Sequence, residues 1–197
     1  MGCGASTAAP DKYAEGTLPA SPGGRDLKKQ YTDKIKSAES LSADAKPWDT
    51  FLSYEDSAAV LADATREKLG ALQYKVPTKR NDLEAQKEGV RTSRRVVVFF
   101  SPAFFNTPSC CAEFCEAVEA GVEVLPVAVE GASWGGNPFP QLTDVPESMD
   151  TSAGVIKPRE AAAAVFGHTI ALDHKNAYLD AFFEKLSNRL GPPAALR

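Results

Sequence analysis

The chain has 197 residues, 43% of them hydrophobic and 24% charged, with a formal net charge of -4 and a pI near 5.3. These are ordinary values for one globular domain with room for a tail, and nothing in them suggests a nucleic-acid binder, which usually shows a dominant basic face. No apolar run approaches the roughly 18 residues that span a bilayer, and no secretory hydrophobic region follows Met1. Of the 4 cysteines, Cys3 stands alone and Cys110, Cys111 and Cys115 crowd into one stretch. Thiols that close together cannot staple distant parts of a fold, so a reducing compartment is expected.

Residues 1–46 read as a lipid-modifiable arm. The opening MGCGAST has Gly2 and Ser6 where N-myristoylation needs them, and the side chains between are small. Cys3, beside the first acyl position, is a natural S-palmitoylation site. One myristoyl chain binds membranes only marginally, at about 10⁴ M⁻¹, so a second signal matters. Cys3 or the basic stretch Arg25, Lys28, Lys29, Lys34 and Lys36 supplies it. The expected location is therefore cytoplasmic, attached to a membrane through Gly2 and Cys3. Residues 7–24 are rich in Ala, Pro, Gly and Ser and read as a linker. Leu27, Tyr31, Ile35 and Ala38 then recur at helical spacing. That stripe predicts a short amphipathic helix, lying on lipid or packed on the domain.

Residues 47–191 form the expected domain, and 192–197 a tail. WDTFLS (48–53) reads as a strand. Asp56 caps a helix running to about Leu69, with Val60, Leu61, Ala64, Leu69 and Leu72 on its apolar side. Residues 74–77 give a weak second strand. Asp82 begins a helix reaching Arg91. RVVVFF (95–100) is a third strand, whose unbroken apolar run suits burial on both faces of a parallel sheet, central or next to central. Residues 109–120 read as a helix, and VEVLPVAV (122–129) as a buried strand. A Gly- and Pro-rich stretch with little regular signal covers 130–159. HTIAL (168–172) is the fifth strand, and 177–190 the closing amphipathic helix, ended by Gly191 and Pro192. Alternation of this kind predicts an α/β, doubly wound, flavodoxin-like five-stranded parallel sheet, with ligands outside the carboxyl ends of the strands.

Several segments, in order, resemble a TIR (Toll/interleukin receptor-type) domain. WDTFLSYEDS, with Phe51, Ser53, Tyr54 and Asp56, is similar to the family's box F-[IL]-S-Y-x-x-D, more loosely in its last spacing. SRRVVVFFSPAFF places Ser93, Arg94, Ser101 and Phe104 as in S-R-x-x-[VI]-V-[VL]-[VL]-S-x-x-[YF]. PSCCAEFCEA sets Cys110, Glu113 and Phe114 in register with W-C-x-x-E-L. LPVAV and YLDAFFEKL resemble the I-P-[VI] strand and the aromatic closing helix. Two places differ from the pattern. Ser109 stands where the family often has Trp, and the connection KVPTKRND is short and lacks a glycine.

Some TIR domains hydrolyse NAD+ at the nicotinamide–ribose bond, and the resemblance implies that chemistry for Glu113. The bond breaks through an oxocarbenium-like state, which a nearby carboxylate stabilises. Glu113, expected in the first turn of the helix after the third strand, lies at the carboxyl edge of the sheet. Ser53, Tyr54 and Ser101 line the same expected cleft as substrate-binding residues. Read from charge alone, Glu113 complements the helix dipole. No cofactor is expected, with NAD+ entering only as a possible substrate. No GxxxxGK[ST] or GxGxxG phosphate loop is present, and GASWGG matches neither. Cys110, Cys111 and Cys115 lack zinc spacing, and no metal is expected. Cys111 and Cys115 share a helix face, which permits redox or acylation, against a default of buried free thiols. His168 and His174 flank the fifth strand and read as exposed strand-end residues.

Three functions remain open. The first is a membrane-tethered TIR signalling protein that consumes NAD+. The second is a non-enzymatic adaptor working by self-association or with other TIR domains, which Ser109 and the short connection favour. The third is a nucleotide- or nucleoside-processing enzyme of similar fold.

Overall fold

The computed structural model describes residues 24–40, 46–78, 82–166 and 171–196. The chain runs through α1 (Gly24–Ser40), β1 (Trp48–Ser53), α2 (Ala59–Ala71), α3 (Leu83–Arg91), β2 (Ser93–Phe100) and α4 (Pro108–Glu119). It continues with β3 (Glu123–Ala128), the short β4 (Met149–Thr151) and β5 (Gly154–Ile156), α5 (Pro158–Phe166), β6 (Leu172–Asp173) and α6 (Leu179–Leu190). The main sheet has the order β1-β2-β3-β6 and is parallel throughout. No helix among the described residues is long and apolar enough to cross a membrane.

β2 is interior, as its sequence predicts. Alternate side chains leave a strand on opposite faces, so RVVVFF supplies two cores at once. Val96, Val98 and Phe100 join one cluster with Phe51, Val124 and residues of α1, α3, α4 and α5. Val97 and Phe99 join the other with Leu52, Leu125, Val127, Leu172 and residues of α2 and α6. Each such side chain contributes about 1.5–3 kcal/mol on burial. Within the first cluster, six phenylalanines meet beneath the carboxyl end of β2. Phe100 stacks on Phe105 at 5.2 Å and takes Phe104, Phe114, Phe139 and Phe166 edge-on. Phe139 belongs to the Gly- and Pro-rich stretch, which is therefore pinned to the core by an aromatic ring.

The main sheet has four strands among the described residues, not the expected five. Residues 74–77 run extended beside β1 without forming a ladder. The Lys75 carbonyl accepts from Asp49 N at 2.9 Å and Thr50 N at 3.4 Å, while Lys75 N donates to the Asp49 carboxylate at 2.8 Å. One N–H is thus spent on a side chain, and Pro77 has none to offer. The fifth expected strand, 168–172, is met at Leu172, which with Asp173 pairs with β3; its residues 168–170 lie outside the described ones. The doubly wound parallel plan stands.

α2 differs from its sequence reading at both ends. Its first turn is a tight 3₁₀ turn (Asp56–Ala58) capped by Glu55, not Asp56, and Val60 is 85% exposed, with Leu72 also exposed. Ala64 is exposed as well, while Leu61 and Leu69 are buried as expected, joined by Ala62 and Thr65. Short polar Thr65 is accommodated by donating to the Leu61 carbonyl at 2.7 Å. The Gly- and Pro-rich stretch holds the antiparallel β4–β5 hairpin and the start of α5, elements beyond its sequence reading. The run EAAAA in α5 is strong helix-forming sequence that carries little amphipathic signal.

α1 packs on the domain. Tyr31 and Ile35 are buried, and the Tyr31 hydroxyl donates to Val122 O at 2.8 Å and accepts from Val124 N at 2.9 Å. Gly121, with φ at +66°, lets the backbone turn directly under the helix. A Cβ there would stand 2.9 Å from the Lys34 carbonyl group.

Candidate functional site

The residues singled out in the sequence come together where β1 and β2 end and α4 begins. Ser53 closes β1, and its side chain points to the α4 face of the sheet. Pro108 at the first position of α4 supplies a fixed φ where no N–H is needed. From there Glu113 falls in the second turn, not the first, and no acidic residue occupies the first turn. The dipole reading of Glu113 is weakened accordingly, because that effect fades within one turn.

Ser53 Oγ donates to Glu113 Oε2 at 2.5 Å, and both side chains are 0% exposed. A buried carboxylate is costly without such donors, so this pair is a fixed feature of the interior. Cys110, one turn before Glu113, donates from Sγ to the Tyr54 carbonyl at 3.3 Å. The Tyr54 side chain is hydrogen-bonded with Arg66 of α2, and Arg66 is held by Asp63 at 2.5 Å. Ser101, just past β2, does not reach Glu113. It donates to Glu55 Oε2 at 2.7 Å. Glu55 also accepts from Ser57 N at 3.0 Å and Ser57 Oγ at 2.6 Å.

Glu55 was missed in the sequence. Its only signal was position: a carboxylate two residues beyond Ser53, at the mouth of a parallel strand. The site thus holds two carboxylates. Glu113 lies sealed below and Glu55 is half-buried above, with the hydroxyls of Ser53 and Ser101 between the strands and the helix.

The three α4 cysteines are buried thiols. Burial pushes the Cys111 thiol up to about 12, helped by Cys115 and Cys110. Burial likewise pushes Cys115 up to about 12, with Glu119 adding to it. A thiol held that high supplies almost no thiolate at neutral pH, which argues against redox or acylation at these two. Among the described residues no group of three His, Cys, Asp or Glu side chains is placed to hold a metal. His174 is buried, 3% exposed, where the sequence suggested exposure, and it packs edge-on against Phe182 at 5.3 Å. His168 lies outside the described residues, as do Gly2 and Cys3.

A parallel sheet wrapped by helices on both faces, with polar side chains gathered at its carboxyl edge, defines a doubly wound α/β domain. Among solved structures the chain is similar to the TIR domains in the structure of the activated Roq1 resistosome directly recognizing the pathogen effector XopQ. The TM-score is 0.52 and the identity 16%, and the match covers 73% of this chain and 99% of that one. The fold is therefore TIR-like. No protein-family model and no curated protein matches the sequence.

Proposed function

We propose that this chain is a TIR-type signalling protein, tethered to a membrane by acyl chains on Gly2 and Cys3, whose domain hydrolyses NAD+ at the nicotinamide–ribose bond. The observation that carries the enzymatic part is the Glu113–Ser53 pair at the carboxyl edge of the sheet, 2.5 Å between oxygens. In the proposed step the C1′–N bond breaks with its electron pair leaving on the nicotinamide nitrogen. Water adds to C1′ and releases one proton. Glu113 stabilises the cationic ribose in between, and Ser53 fixes the orientation of that carboxylate. Ser101 and Tyr54 sit at the mouth, where ribose hydroxyls would enter.

The alternative is a non-enzymatic adaptor that acts by association with other TIR domains. Complete burial of Glu113 favours it, since a sealed carboxylate touches no substrate. The similar TIR domains belong to an activated resistosome, which supports a role in assembly under either reading.

The test is nicotinamide release from NAD+ by the purified full chain, at high protein concentration and on lipid vesicles. Glu113→Gln keeps the size and removes the carboxylate, so turnover should fall about 10²–10³-fold. The folded state should be retained, as checked by circular dichroism. Glu119→Gln, exposed and further along the same helix, should leave the rate near wild type. Equal activity of wild type and Glu113→Gln would place the active site elsewhere. No release by the wild type under any of these conditions would favour the adaptor.

A further inference from the structure

We infer that the loop leaving β1 is a gate over Glu113 and that the Glu55 carboxylate, clasped by Ser101, is its latch. Three consecutive residues are stitched to two walls, the helix α4 and the end of β2. Ser53 Oγ bonds to Glu113 of α4, the Tyr54 carbonyl accepts from Cys110 of the same helix, and Glu55 accepts from Ser101 at the end of β2. Beneath them Glu113 and Cys110 are each 0% exposed. A substrate reaches Glu113 only if this loop lifts.

The stitches differ in strength. A thiol is a weak donor, so the Cys110 bond adds little. The Ser101 bond at 2.7 Å goes to a carboxylate, and hydrogen bonds with charged groups are the strong ones. Glu55 is also the cap of the 3₁₀ turn that opens α2, through Ser57 N. One side chain therefore couples the start of α2 to the end of β2, and loss of the Ser101 bond uncouples the loop from β2 while Tyr54 stays bonded to Arg66 of α2. As a gate for substrate the inference rests on the NAD+ reading; as a closure over Cys110 it stands alone.

Cys110 is the reporter. Its sulfur lies directly under Tyr54, so lifting the loop exposes it, whereas Cys111 bonds toward the Phe104 and Phe105 carbonyls deeper in the core. The experiment measures maleimide labelling of the folded full chain, with the modified sulfur assigned by tandem mass spectrometry. Ser101→Ala removes the clasp without touching the cap of α2. Glu55→Gln weakens the clasp from the other side and retains an acceptor for Ser57 N. Each should raise the Cys110 labelling rate about tenfold or more, the scale of one lost hydrogen bond to a charged group. Cys111 and Cys115 should keep their wild-type rates. The double variant should open little further than either single one, because both remove the same bond.

Unchanged Cys110 labelling in both variants would overturn the latch. So would a parallel rise at Cys111 and Cys115, which would mean general loosening. Faster Cys110 labelling with no nicotinamide release would leave the gate intact and remove only the NAD+ reading. If both readings hold, Glu55→Gln, which is not assigned to the substrate, lowers the KM for NAD+ more than it changes kcat.

Discussion

At the scale of single residues, the described interior is mostly apolar, and most of its buried polar side chains are hydrogen-bonded. His174 is an informative exception. Its backbone N donates to Ala128 O at 3.0 Å and its Nδ1 accepts from Glu130 N at 3.5 Å, while Nε2 is buried with no hydrogen-bond partner. Burial pulls its pKa below the ordinary histidine value, opposed in part by Glu130 and Asp173. Asp173 is itself engaged by Lys175 at 3.7 Å, and α6 presents the neutral ring of Phe182. A folded pKa lowered beneath the unfolded value, about 6.5, means that the unfolded chain binds the proton more readily. The contribution of His174 is therefore present above about pH 6.5 and is lost as pH falls through its folded value. Urea unfolding at pH 7.5 and pH 5 should show this loss in the wild type and a smaller one in His174→Gln. Equal pH slopes would mean that the imidazole titrates as it does in solvent. The sequence placed this histidine at a strand end and gave no sign of its burial, because that depends on where α6 lands.

At the scale of elements, α1 shows how one side chain fixes a helix. Its apolar stripe predicts docking on something, and Leu27, Tyr31 and Ile35 do face the domain. What no periodicity conveys is that the Tyr31 hydroxyl bridges two backbone groups at the start of β3. Burial raises the Tyr31 phenol well above its ordinary pKa, partly opposed by the Val124 backbone bond and reinforced by Glu123, so it stays a neutral donor and acceptor. Tyr31→Phe should cost about 1–3 kcal/mol, since Val124 N and Val122 O lose a partner in the interior. In a chain of this length that is a fall in Tm of about 2–4 °C per kcal/mol. Hydrogen exchange across residues 31–38 should quicken in the variant while β2 stays protected. Unaltered exchange in α1 would show that apolar contact alone holds it. α3 and α4 are joined differently, through Glu116. It takes Arg91 Nε at 2.6 Å and Nη2 at 3.0 Å, with Lys87 at 3.3 Å. Such pairing is invisible in the sequence, because Arg91 and Glu116 are 25 positions apart.

At the scale of the whole molecule, docking of α1 bears on the proposed tether. With its apolar stripe spent on the domain, that helix has only its polar face left for a lipid surface, where Lys28, Lys29 and Lys36 are exposed. Basic residues alone attract an anionic membrane weakly, about 1 kcal/mol each near the surface. Gly2→Ala should therefore move the full chain from the membrane fraction to the soluble one. Cys3→Ser should leave weak binding that salt removes. Fractionation of Gly2→Ala with membranes as in wild type would show that acylation is not the tether. The sequence by itself determined the parallel α/β plan. RVVVFF can be buried on both faces only inside a sheet wrapped by helices, and Asp82, Pro108 and Gly191 mark helix ends by local chemistry that needs no tertiary context. It also brought Ser53 and Glu113 to one edge, because strand ends and helix starts of a doubly wound sheet share that edge. Tertiary structure alone decided the rest. The segment at 74–77 failed to become a strand because Asp49 took its N–H. α2 turns Val60 outward and packs Leu61, Ala62, Thr65 and Leu69 inward, a choice set by the surface it lands on. The β1 loop takes hydrogen bonds from Ser101 and Cys110, both distant in sequence, above the buried Glu113. Local propensity acts over a few neighbours, whereas those bonds join residues 46 to 56 positions apart and exist only once the sheet has formed.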